Sequence, residues 1–155
     1  MTTNTVSKLK KELEQKNREL SIQSSLEKVR AVAMSMIQPE DMLGVCSIIS
    51  KELENLGILE IRNIQTAVID EKKTVYLNYE YFRLSRKTVI SVIAYKGHKT
   101  IQNFVRKVLK DPEGFFTTRF KGVEISNWMK YQAKSGQFVD THLRKTKSLH
   151  YYFYS

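Results

Sequence analysis

The chain is short of the residues with which proteins do covalent and metal chemistry. Its single cysteine, Cys46, excludes an internal disulfide and suits a reducing compartment. That thiol falls on the apolar face of a predicted helix and reads as a buried structural side chain. The three histidines, His98, His142 and His150, lack the spacing of metal ligands, and no Cys-x-x-Cys pair occurs, so no metal site is assigned. The six glycines stand isolated, with neither a GxxxxGK(S/T) phosphate loop nor a GxGxxG turn after a strand. No serine sits in a nucleophile elbow, and a phosphorelay histidine would need a helical bundle and an ATP-binding domain of its own. No catalytic residue and no cofactor are therefore assigned, and the chain reads as non-enzymatic. Apolar residues nowhere run far enough to cross a bilayer, and the N-terminus has no basic stretch followed by an apolar one. A cytoplasmic location is the expectation.

Acidic residues are scarce in one part of the chain only. Residues 1–60 carry 8 Lys/Arg against 9 Asp/Glu, whereas residues 61–155 carry 18 against 7, so the net charge of +10 resides in the second part. A basic body attracts nucleic acid, an anionic membrane surface or an acidic partner. The cations are scattered, however, and only Arg144-Lys145-Thr146-Lys147 forms a tight cluster.

What is present in strength is an amphipathic N-terminal helix, predicted over 7–36. Leu9, Leu13 and Leu20 follow heptad spacing, with Lys16 at the seam position between the last two. A second stripe, Ile22, Leu26, Val29, Ala33 and Met36, is offset by one residue, so the seam breaks near Leu20 and Ile22. The pairs Glu12 to Lys16 and Glu14 to Arg18 are each worth a few tenths of a kcal/mol, roughly. That is too little to hold an isolated helix of about 45 Å, so another polypeptide surface must cover the stripe. A parallel homodimer through 7–36, a coiled coil using Leu9, Leu13, Leu20, Leu26 and Val29, is the expected arrangement.

Beyond this helix the periodicity describes a body. Pro39-Glu40-Asp41 starts a second helix that buries Met42, Val45, Cys46, Ile49, Leu53 and Leu56 and stops at Gly57. A strand over 58–69, a turn over 70–73 and a returning strand over 74–82, with Val75, Leu77, Tyr79 and Tyr81 alternating, follow. Residues 88–95 are apolar on both faces and predict a central strand covered on both sides. A helix after Gly97 presents Ile101, Phe104, Val105, Val108 and Leu109 on one face and ends at Asp111-Pro112. A short strand over 115–120, a helix over 123–134 and an aromatic strand over 149–155 complete the order. An aromatic β run with no closing element behind it predicts that the chain is a piece of a longer protein.

Most of the aromatic residues are needed as core of a sheet covered by helices. Tyr95, His98, Arg119 and Trp128 are the candidate ligand-binding residues, lining a small-molecule pocket between the sheet and the 97–134 segment. A second class is a basic nucleic-acid-binding module using Arg144-Lys145-Thr146-Lys147 and the positive helix at 99–110, and a third is a truncated remnant with no activity of its own. Base stacking, though, requires aromatics on an open sheet face, and alternation puts them on both faces.

The string Leu26-Glu27-Lys28-Val29-Arg30, continuing to Ala33-Met34-Ser35-Met36, then Pro39-Glu40-Asp41, Ala67-Val68-Ile69-Asp70-Glu71 and the strand His150-Tyr151-Tyr152-Phe153-Tyr154, resembles the GAF-like sensor domains of bacterial multidomain signalling proteins. The resemblance covers roughly residues 26–155. It implies an α+β fold, an antiparallel sheet flanked by helices behind a coiled-coil signalling helix (residues 1–36), with 37–155 as the sensor domain. It further implies coupling to a histidine kinase or other output domain, as in two-component systems, and a final strand and helix beyond this sequence. It brings no fixed ligand residues.

Overall fold

The computed structural model describes residues 2–154, with side chains from residue 5 to residue 154. The chain is α+β. Helix α1 (Thr2–Met34) leads through a 3-10 turn (Pro39–Asp41) into α2 (Met42–Asn55), and strands β1 (Asn63–Asp70), β2 (Val75–Phe82) and β3 (Lys87–Ala94) follow. A 3-10 turn (Tyr95–Gly97), α3 (Lys99–Lys110), β4 (Phe115–Lys121), α4 (Val123–Lys134), a third 3-10 turn (Thr141–Lys145) and β5 (Ser148–Tyr154) complete it. The strands form two antiparallel sheets, one ordered β1-β2-β3 and one pairing β4 with β5. Two compact units result: residues 1–66 with 79–88, and residues 67–78 with 89–155.

In the first unit, local chemistry sets each boundary. The Asp41 carboxylate accepts from the backbone N–H groups of Ile37 (2.8 Å) and Gln38 (3.1 Å), which holds its pKa below the ordinary range and fixes the turn before α2. At the other end Gly57 takes φ +82°, and the Ile58 N–H returns 2.9 Å to the Leu53 carbonyl, a Schellman closure that glycine permits without strain. Cys46 is fully buried, its Sγ 3.5 Å from the Tyr79 carbonyl and 3.6 Å from Thr66 Oγ1. Burial pushes that thiol's pKa up, so it stays protonated and unreactive.

The strand expected from residue 58 begins only at Asn63. The carbonyls of Ile61 and Leu59 instead accept from the Arg83 guanidinium, at 2.9 and 2.6 Å, and the Arg62 carbonyl from its backbone N–H at 3.0 Å. Those acceptors are spoken for by one arginine, and the segment needs no ladder. The strand β3 also departs from expectation. It is third in the order β1-β2-β3 and pairs on one side only among the described residues, with Ile90 and Val92 exposed. Its two-sided apolar run reflects β-propensity, not coverage. The covered strand is β2, where Tyr76, Asn78, Tyr79, Glu80 and Phe82 are all buried.

The second unit has its own core: Tyr76, Ile93, Ile101, Val105, Phe120, Ile125, Trp128, Leu143 and Leu149. Helix α3 turns Ile101 and Val105 inward, but Leu109, expected on the same face, is 45 % exposed. Leu143, on a turn that periodicity cannot detect, is buried, anchored where Asp140 caps the Thr141–Lys145 turn by accepting from the His142 N–H at 3.1 Å. The predicted terminal strand lies at Ser148–Tyr154, with Ser155 outside the described residues.

Candidate functional site

The second unit carries an open cleft of about 430 Å³ along α3. Tyr95, Val105 and Leu109 give it apolar walls, and Lys96, Arg106 and Lys110 bring three cations to it. The seventh lining residue, Gln102, donates from Nε2 to the Lys96 carbonyl at 2.7 Å and so pins the 3-10 turn to the helix. Its sequence origin is simple: successive turns of α3 supply Gln102, Arg106 and Lys110 at i, i+4, i+8, while Val105 and Leu109 lie one residue before Arg106 and Lys110. Among the described residues no acidic one lines the cleft. Such a surface suits a ligand with an apolar body and an anionic group.

Of the four residues singled out for ligand binding, Tyr95 lines this cleft. His98 and Trp128 are brought together elsewhere, with ring centroids 5.3 Å apart, and Tyr131 packs on the same His98 ring at 4.6 Å. Trp128 also stacks on Phe120 at 5.3 Å and donates from Nε1 to the Tyr151 hydroxyl at 3.2 Å. Trp128 is thus core, its one polar atom satisfied. His98 is the N-cap of α3: its Nδ1 accepts from the Thr100 N–H at 3.2 Å, and burial lowers its pKa, favouring the neutral ring that this cap requires. Arg119 lies on β4 next to the inward-facing Phe120, but is itself exposed and donates from Nε to Ser148 Oγ at 2.9 Å. Sequence reasoning used the positive helix at 99–110 only for the nucleic-acid reading and did not bring its Arg106 and Lys110, with Lys96 of the preceding turn, to Tyr95.

Two other polar pairs are well formed. His142 Nδ1 lies 2.9 Å from the buried Asp140 carboxylate, and Ser148 Oγ lies 2.8 Å from His150 Nε2. Among the described residues no group of three or more His, Cys, Asp or Glu side chains could hold a metal ion, and no helix is long and apolar enough to cross a membrane.

The remaining feature is α1. Every residue from 5 to 24 is exposed, including Leu9, Leu13 and Leu20. Ser25 is its first buried residue, and from there Val29, Val32, Ala33 and Met36 are half-buried. Leu26, expected in the same stripe as Val29, is 50 % exposed and stands off that packed face. Ser25 Oγ (2.9 Å), Lys28 Nζ (3.1 Å) and Asn55 Nδ2 (3.1 Å) converge on the carboxylate of Glu52, which is 4 % exposed. The hydrogen bonds from Lys28 and Ser25 hold that carboxyl below the ordinary glutamate range.

No family model, no curated protein and no solved structure matches the chain.

Proposed function

We propose that the chain is a non-enzymatic, GAF-like sensory module of a bacterial signal-transduction protein, acting as a homodimer through residues 7–36. One observation carries this reading: the outer part of α1, residues 5–24, is a helix of roughly 30 Å with nothing packed on its leucine stripe. A helix in that state is marginal alone, and each leucine covered by a partner contributes about 1.5–3 kcal/mol. The regular seam that starts at Leu9 ends near Leu20, a few residues before the Glu52 clasp begins at Ser25. The junction at 20–25 is therefore the two-state element: a clasped inner half, a paired outer half, and a change of stripe between them.

In this reading the input is a small amphipathic anion taken by the cleft beside Tyr95, and the output is the register of the paired helices, read by a histidine kinase or another domain of a longer protein. The strands β1, β2 and β3, which contribute residues to both units, are the chain segments that link input to output. The ligand acts only to the extent that it prefers one register.

Sedimentation velocity tests the proposal. The intact chain is expected to sediment as a dimer at micromolar concentration, and the double variant Leu13→Glu, Leu20→Glu as a monomer with an unchanged circular dichroism spectrum beyond the loss of outer-helix signal. A wild-type monomer across that range would end the relay reading.

A further inference from the structure

The β4–β5 pair has one packed face and one open face. Its register sets Phe115 opposite Tyr154, Thr117 opposite Tyr152, Arg119 opposite His150 and Lys121 opposite Ser148, and these alternate positions point away from the core pair Phe120 and Leu149. On the open face Phe115 is 56 %, Tyr152 60 % and Tyr154 81 % exposed. The rings are arranged in a row: Phe115 and Tyr154 lie 4.9 Å apart, and Tyr152 stacks against His150 at 6.4 Å and 18°. The row then passes into cations, Arg119 and Lys121, both exposed. Ser148 organises that end, accepting from Arg119 Nε at 2.9 Å while lying 2.8 Å from His150 Nε2. Neither strand contains an acidic residue. Glu124, just beyond β4, is engaged by the Lys121 backbone N–H at 2.8 Å.

From this we infer that the open face of β4–β5 binds single-stranded nucleic acid, with bases stacked on Tyr152, Tyr154 and Phe115 and phosphates on Arg119 and Lys121. The occupant follows from chemistry. Flat rings in a row match a ligand that presents successive π-faces, and adjacent cations without acids match one that is anionic at each step. A duplex hides its base faces and meets only the cations. The surface is distinct from the basic cluster at 144–147 and from the cleft along α3, and it does not depend on dimerisation through α1.

Fluorescence anisotropy of labelled mixed-sequence single-stranded and duplex oligonucleotides, titrated with the full chain over a salt series, tests this. Single strands are expected to bind more tightly than duplex. Tyr152→Ala and Tyr154→Ala should each weaken binding about tenfold, whereas Tyr152→Phe, which keeps the ring, restores it. Arg119→Gln and Lys121→Gln should each reduce the slope of log affinity against log salt by about 0.7. All four side chains are exposed, so the fold survives each change. Absence of binding at low salt overturns the inference. So does equal affinity for duplex with no loss in the tyrosine variants, which is the mark of a diffuse basic surface. A third contrary result is that the tyrosine variants alter self-association in sedimentation while no oligonucleotide binds, which would make the face a contact between copies.

Discussion

The two halves of α1 share one backbone and differ in everything that holds them. The inner half, from Ser25, packs half-buried apolar side chains and converges two polar groups on Glu52, a carboxylate nearly out of solvent. The outer half, residues 5–24, exposes every side chain, and pairs such as Lys8 with Glu12 at 3.9 Å and Gln15 and Lys16 with Glu19 at 3.1 and 3.3 Å are local. Local pairs of this sort contribute a few tenths of a kcal/mol each, roughly, while covered leucines contribute several-fold more. The difference teaches that helicity alone does not explain the outer half. Its exposed leucine stripe is the surface that the proposed dimer would cover.

That contrast can be broken at the stripe itself, where the largest effect is expected. Leu13→Glu with Leu20→Glu places four charges in the seam of a dimer and should raise the dissociation constant by at least about 100-fold, measured by sedimentation equilibrium. A smaller effect of opposite sign is expected from Lys16→Leu, which completes the heptad seam and should tighten the dimer by about tenfold. The inner half is probed by Glu52→Gln. Because the folded-state pKa of Glu52 is depressed, its contribution is present above the ordinary glutamate range and is lost as pH falls through the folded value. The variant should therefore melt below wild type at neutral pH, and the two melting temperatures should converge in acid. If the gap instead persists unchanged in acid, the clasp is steric and not ionic. The smallest effect belongs to Lys8→Gln, which removes an exposed pair and should change stability by no more than about 0.5 kcal/mol in thermal melts.

Much of the fold was legible because periodicity and punctuation agree. Helix α4 lies at Val123–Lys134 as the pattern of Ile125, Trp128 and Met129 requires, and α2 starts behind Pro39 and stops at Gly57. Sheet order was not legible: an apolar run such as 88–95 states a preference for strand and says nothing of what covers it, and the coverage went to β2. Side-chain capture of backbone was equally invisible, as at Arg83, which removed 58–62 from the expected strand. At the level of sites, the sequence grouped Tyr95, His98, Arg119 and Trp128 as one ligand-binding set, and of these Tyr95 lines the cleft along α3. Trp128 is spent on the core, His98 on a helix cap and Arg119 on the outer face of β4. Nor did alternation reveal that one aromatic face of β4–β5 stays open, since period two is the same for a covered face and a bare one.

The central claim is that residues 5–24 are ordered by a second copy of this chain. The most direct measurement is the dependence of helicity on concentration, read by circular dichroism at 222 nm from about 0.1 to 100 μM alongside sedimentation. The account predicts that helical signal and molecular mass rise together in the wild type and that neither rises in the Leu13→Glu, Leu20→Glu variant. Helicity that is constant over the whole range, with the mass of a single chain, would contradict it.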